Sequence, residues 1–282
     1  MNTPPEIFDR SLIAKRRSRA ARTFGEYDFL HQRAMDDIVD RLETVMRDFP
    51  KSVFSGVGNL ANKLTPDCKI GEIVHLDPAR ARLPANGLRV VADEELLPIA
   101  PESQNLFVSL LTLHSVNDLI GALVQIRRSL VQDGLFIAAV FAEETLSNLR
   151  KALYTAETEI TGGVSPRINP FASIQDYGQA LSRAGFTLPV VDIDKVSVTY
   201  DEPIKLFRDL RGMGETSALK NRAGPLRRDV LMRAIQIFAE NGGMEKFEIV
   251  YLTGWAPDPS QQKPLKPGSG KVSLEDAIKG AK

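Results

Sequence analysis

Asn105-Leu106-Phe107-Val108-Ser109-Leu110-Leu111-Thr112-Leu113-His114-Ser115-Val116-Asn117-Asp118, followed after a helical stretch by Asp133-Gly134-Leu135-Phe136-Ile137-Ala138-Ala139-Val140-Phe141, decides the fold class. Each half is a continuous apolar run bounded by turn-forming residues, as expected of strands buried on both faces. Leu119, Ala122, Leu123, Ile126 and Leu130 recur between them at helical spacing. Strand, helix and strand in that order make a βαβ unit of a parallel sheet. Ligands of open parallel sheets bind beyond the carboxyl ends of the strands, so Leu113 to Asp118 are expected to line a pocket.

The same pattern extends upstream. Lys51 to Leu60 reads as a short strand, a glycine turn (Gly56-Val57-Gly58) and the start of a helix through Leu64. Glycine lets a backbone approach a ligand closely, and a helix N-terminus offers free N–H groups. Gly71 to Pro78 is a second strand ending in Asp77, nineteen residues after Gly58. That offset suits a carboxylate accepting hydrogen bonds from ribose hydroxyls. Leu88 to Ala92 is a third strand, and Asp93, Glu94 and Glu95 follow it. An acid in such a place also caps a following helix, but three strands ending in Gly-x-Gly, Asp and Asp deliver these groups to one sheet edge.

Downstream, Glu143 to Ile160 and Ser173 to Ala184 read as amphipathic helices, separated by a breaker-rich loop from Thr161 to Phe171 that carries Arg167. Val190 to Tyr200 and Lys246 to Trp255 read as the last two strands, with helices at Glu202 to Arg211 and Leu226 to Asn241 between them. Near the start, Phe29 to Phe49 carries a helical stripe of Leu30, Ala34, Ile38, Leu42, Val45 and Met46. Before it lies a basic run of Lys15, Arg16, Arg17, Arg19 and Arg22, open to reading as a transit peptide, an anion-binding arm or a solvated helix face; Glu6 and Asp9 are atypical of transit sequences and favour the last.

Composition narrows the function. The 282 residues are 43% hydrophobic, and 36 basic side chains balance 36 acidic ones, which argues against nucleic acid or an anionic membrane as the main partner. A single cysteine, Cys68, excludes an internal disulfide, and three scattered histidines (His31, His75, His114) give no expectation of a metal centre. No apolar run approaches the ~20 residues of a membrane span, and the N-terminus shows no apolar signal core. A cytoplasmic protein without an integral membrane segment is expected, its oligomeric state left open.

A doubly wound, mostly parallel seven-stranded α/β sheet with a Gly-x-Gly loop after strand one, acids after strands two and three, and a closing strand pair resembles the class I S-adenosylmethionine methyltransferase fold, which is Rossmann-like. More closely, the chain is similar to a methyltransferase-like family that includes the mitochondrial respiratory complex I assembly factor acting as a protein arginine hydroxylase. The likeness rests on Phe8-Asp9-Arg10, Ala92-Asp93-Glu94-Glu95, Leu113 to Leu119, Ala156 to Glu159, Gly163 to Phe171, Leu210 to Glu215 and Gly254-Trp255. It implies a helical arm over residues 1–50, a methyltransferase-like domain over 51–256 with a helical lid insertion at about 202–242, and a flexible tail over 257–282.

The resemblance further implies S-adenosylmethionine as cofactor. Gly56 and Gly58 match the loop passing its methionine part, Asp77 the ribose acid and Asp93 the acid reading the adenine amino group, with Pro78 and Glu94 beside them. Leu111 to His114 match the wall beside the sulfonium. Two positions depart from the pattern: Phe54 stands where the family has an acid, and Leu60 where it has a third glycine. His114 is a candidate catalytic base or substrate-orienting group, or a structural histidine. Asn117 and Asp118 either position substrate or cap the next helix, and Arg167 either grips an acidic substrate or sits in a surface salt bridge. Three activities therefore stay open: methyl transfer to an unknown acceptor, arginine modification on a protein partner such as a complex I subunit, and binding without catalysis.

Overall fold

A computed structural model describes residues 6–262; most of the tail expected over 257–282 lies outside them. The strands are β1 (Phe49–Ser55), β2 (Ile70–Asp77), β3 (Leu88–Val91), β4 (Gln104–Leu110), β5 (Leu130–Phe141), β6 (Thr187–Thr199) and β7 (Met244–Trp255). They form one sheet in the order β3-β2-β1-β4-β5-β7-β6, parallel except for β7, which runs antiparallel to both of its neighbours. The seven-stranded, mostly parallel α/β sheet expected from the sequence is the sheet observed.

Seven helices are described: α1 (Arg10–Ala20), α2 (Phe29–Thr44), α3 (Leu119–Ser129), α4 (Ser147–Thr161), α5 (Ile174–Ala184), α6 (Ile204–Met213) and α7 (Arg228–Glu240). Successive strand residues enter opposite cores, which is why the central runs are apolar without alternation. Phe54, Leu106 and Val108 pack with α2, α4, α6 and α7, whereas Val53, Phe107 and Phe136 pack with α3 and α5. Among the described residues no helix is long and apolar enough to cross a membrane.

The structure corrects the sequence reading at two places. The helix expected after the glycine turn is only a 3-10 turn, Gly58–Lys63, so no α-helix N-terminus faces that loop. The helix expected to reach Phe49 ends at Thr44, and Met46 is 92% exposed rather than on the packed stripe. The first three strands are thus not followed by α-helices of their own, and the N-terminal helices α1 and α2 supply packing there instead.

Helix α4 starts in an unusual way. Leu146, just before it, has a left-handed backbone (φ 59°) and offers no capping side chain. The cap comes from β7: the fully buried Glu245 accepts from the backbone N–H groups of Asn148 (3.1 Å) and Leu149 (2.8 Å). Burial raises the Glu245 carboxyl above its usual range, the N–H groups of Lys246, Leu149 and Asn148 pulling the other way. Glu245→Ala removes the acceptor from two helix donors, and urea unfolding is expected to show a loss of about 1–3 kcal/mol, with a smaller loss for Glu245→Gln.

Candidate functional site

The carboxyl ends of β1, β2 and β4 and the loop after β3 converge, as the parallel topology requires. They bring together Ser55, Asp77, Glu94 and Thr112, all buried, with Asp93 at the rim. Glu94 accepts from the Ser55 hydroxyl at 2.7 Å, which ties the loop after β3 to the tip of β1. The acids are all engaged by one helix, α1, which lies across the strand ends.

Two arginines of α1 make the contact. The Arg17 guanidinium donates to Asp77 at 2.8 Å, with side chains 3% and 1% exposed. Asp77 also accepts from the backbone N–H of Ala79 at 2.7 Å. Arg10 meets Asp93 through two parallel N–H···O bonds of 2.8 Å, Glu94 at 2.6 Å and the Ser115 carbonyl at 3.0 Å. A planar guanidinium fits a carboxylate edge with two donors, a geometry a lysine ammonium does not reproduce. Burial by itself would lower both arginine pKa values; the facing carboxylates outweigh it and raise them.

Glu215, in the turn after α6, completes the charge cluster. Its carboxylate lies 3.1 Å from His114 Nε2 and 3.9 Å from Arg17. Burial pushes the Glu215 carboxyl up, but His114, Arg17 and Arg82 together hold it below its usual range. His114 is itself buried between the rings of Phe141 and Phe171, at 5.0 and 5.7 Å between centroids.

The start of α1 is clamped in place. Asn117 Oδ1 accepts from the backbone N–H groups of Ile7 and Phe8, both at 2.7 Å, and its Nδ2 donates to the Phe8 carbonyl at 3.2 Å. Asp9 N–H donates to the Ala218 carbonyl, Lys220 N–H to the Ile7 carbonyl, and Asp9 caps α1 by accepting from Leu12 N–H. So Asn117 holds the chain's own N-terminal segment over the strand ends.

Of the other residues singled out from the sequence, Pro78 borders the same cluster beside Arg17 and Glu94. Gly56 and Gly58 have left-handed backbones, and a Cβ on either would meet a carbonyl oxygen, that of Leu110 (2.6 Å) or Arg82 (2.7 Å). Their lack of side chains is thus required by local packing, and the Arg17 guanidinium lies over Gly56. Leu111 is fully buried in the α2 side of the core with a left-handed backbone (φ 49°), so it walls no open space. Strain of that kind in a bulky residue gathers at functional loops. Asp118 caps α3 by accepting from Gly121 N–H at 2.7 Å. Arg167 lies outside the cluster, on Glu157 at 2.7 Å and the Gly224 carbonyl at 2.6 Å. Phe54 is core, and Leu60 packs against that core without blocking the cleft.

Arg10, Arg17, Glu215 and Ser55 were not site candidates from sequence. Arg10 and Glu215 do stand in the motifs carrying the family resemblance, and Arg17 stands in the basic run; nothing in their spacing says which charges meet. With α1 seated, the space left among Arg10, Arg17, Pro78, Glu94, Thr112 and Glu215 is about 10 Å³, scarcely one water. In this arrangement the site does not accommodate S-adenosylmethionine. Ligand pockets usually offer several hundred Å³.

Two outcomes follow from this burial. Arg17→Met leaves Asp77 charged and unpaired in the interior and is expected to cost about 3–5 kcal/mol in chemical denaturation, most of it recovered when Asp77→Asn is added. Beneath the cluster, His31 is fully buried with neither ring nitrogen hydrogen-bonded. Burial first, then the cations of Arg82 and Arg17, push its pKa well below the usual histidine value. The unfolded chain binds a proton there below about pH 6.5 that the folded chain refuses, so stability is full above that pH and falls by about 1.4 kcal/mol per unit below it. His31→Leu is expected to flatten the acid-side slope by that amount, read from urea midpoints between about pH 6 and 5.

Comparison with known proteins agrees with this architecture. The model of a family described as "Methyltransferase domain" matches residues 53–138. The arginine-hydroxylase NDUFAF5, mitochondrial, of Danio rerio is 37% identical, covering 97% of this chain and 90% of its own. The malonyl-(acyl-carrier protein) O-methyltransferase of Laribacter hongkongensis is 30% identical, covering 92% of this chain and 94% of its own. The crystal structure of the YcgJ protein from Bacillus subtilis shares the fold, with a TM-score of 0.53 at 14% identity over 79% of this chain and 98% of that one. With the methyltransferase fold shared and identity of 37% along almost its whole length, the chain belongs to the methyltransferase-like family that includes this arginine-hydroxylase.

Proposed function

We propose that the carboxylate-lined end of this sheet receives an arginine of a partner protein, and that the chain acts on that arginine during respiratory complex I assembly. One observation carries the reading: Asp77, Asp93 and Glu94 are already paired with guanidinium groups, Arg10 through a two-bond fork on Asp93 and Arg17 through the buried bond to Asp77. A cleft that grips its own arginines in this way has the donor-acceptor geometry to grip another. The name of its full-length relatives, arginine-hydroxylase, supports the same substrate class. In this reading His114, fixed by Glu215, backs the cleft and Asn117 holds the segment that covers it, while Asp118 and Arg167 serve the surrounding framework.

A second reading is favoured by Gly56, Gly58, Asp77 and Asp93 in their order along the chain, and by the methyltransferase domain match. Here S-adenosylmethionine binds at the same acids and a methyl group passes to an acceptor. Like the first reading, it requires α1 to leave the strand ends, because only about 10 Å³ is left beside Arg10 and Arg17. The cytoplasm, or for a mitochondrial relative its counterpart compartment, is the setting proposed for either activity.

Asn117→Ala loosens the segment that carries Arg10 and separates the readings. Fluorescence anisotropy of this variant is expected to show an arginine-containing peptide binding about tenfold or more tighter than its lysine counterpart, because the ammonium loses the fork. Equal affinities overturn the arginine reading. Heat on titrating S-adenosylmethionine into the same variant supports the second, and none removes it.

A further inference from the structure

Helix α1 presents two sets of arginines. Arg10 and Arg17 are seven residues apart and share the face turned to the acids, whereas Arg16 and Arg19 stand on a different face. That second face borders a groove of about 580 Å³ against α6, where Arg208 and Arg211 lie opposite. Tyr27 and Gly212 line the same groove, and among the described residues no carboxylate does.

Among the described residues Arg19, Arg208 and Arg211 make no ion pair, nor do the nearby Arg22 and Arg222. Arg16 is fastened by its guanidinium to the carbonyls of Thr216 (2.8 Å) and Ser217. Burial, and after it repulsion from Arg222 and Arg19, weakens Arg16's hold on its proton. Some other surface arginines are matched, Arg33 with Asp194, Arg227 with Asp229 and Arg233 with Glu159, but those stand apart from one another, whereas Arg19, Arg208 and Arg211 border one groove. Gathering like charges around a cavity is unfavourable unless an anion joins them.

The groove's shape narrows the anion's class. Gly212 lacks the Cβ that would collide with the Tyr27 ring, so that ring packs directly against α6 and lines the groove. Guanidinium forks match phosphate oxygens as they match carboxylates. A concave space of this size suits a small ligand, since pockets for such molecules span about 300–1,000 Å³. We propose that the groove between α1 and α6 binds the phosphoryl group of a small phosphate ester, with its organic part against Tyr27. This site is separate from the strand-end cleft, whose four acids repel phosphate, and it stands whichever reading of that cleft holds.

Calorimetry with AMP as probe and adenosine as its uncharged control tests the site in the full chain at low salt, where charge is least screened. AMP is expected to bind saturably and adenosine not. Arg208→Glu combined with Arg211→Glu, both exposed positions, is expected to weaken AMP about tenfold or more at an unchanged melting temperature. Arg19→Glu, on the opposite wall, is expected to weaken AMP in the same direction. The proposal is overturned if adenosine binds as well as AMP, or if the double variant binds AMP as tightly as the unaltered chain.

Discussion

The buried pair of Arg17 and Asp77 is the interaction on which the functional end of this molecule depends. A carboxylate 1% exposed at the tip of β2 is costly to hold charged, and the guanidinium that neutralises it must come from somewhere close. It comes from the N-terminal helix, sixty residues earlier in the chain. Because the desolvation of both groups has already been incurred, each holds the other in place: neither can withdraw without leaving a bare charge in the interior. The position of α1 therefore follows from the electrostatics of the strand ends, not from its own amphipathicity.

Around that pair the charges nearly cancel. Arg10, Arg17 and Arg82 face Asp77, Asp93, Glu94 and Glu215, with His114 on Glu215. Asn117 Oδ1, accepting from the N–H groups of Ile7 and Phe8, and Asn169 Oδ1, accepting from Ala218 N–H, hold the two segments that carry Arg10 and Glu215. Such a closed network makes access to the strand-end acids a matter of moving a helix whose other face borders a second set of arginines.

Much of the fold was legible because buried parallel strands leave an unmistakable pattern. Leu106 to Leu111, apart from the buried Ser109, and Leu135 to Phe141 are apolar since both faces of the central strands are covered. The strand-end acids were legible for a similar reason: topology delivers residues after parallel strands to one edge, so Asp77 and Asp93 could be placed together before any contact was known. The helix after the glycine turn was not, because Gly58 to Lys63 is too short to show a period and settles into a 3-10 turn. Met46 likewise continued an apolar period that the chain abandons at Thr44.

The sequence by itself determined the sheet, the order of its glycines and acids, and the family, all of which are written in local period or in residues near one another along the chain. Only the tertiary structure decided what those acids touch. Arg10, in the Phe8-Asp9-Arg10 motif, and Arg16, Arg17 and Arg19, in the basic run, share helix α1 with nothing local to say which charges they meet, yet folding sends Arg10 and Arg17 to carboxylates and leaves Arg16 and Arg19 against Arg208 and Arg211. The physical reason is that a charge chooses its partner by distance and burial, and both are set by the way α1 crosses the strand ends.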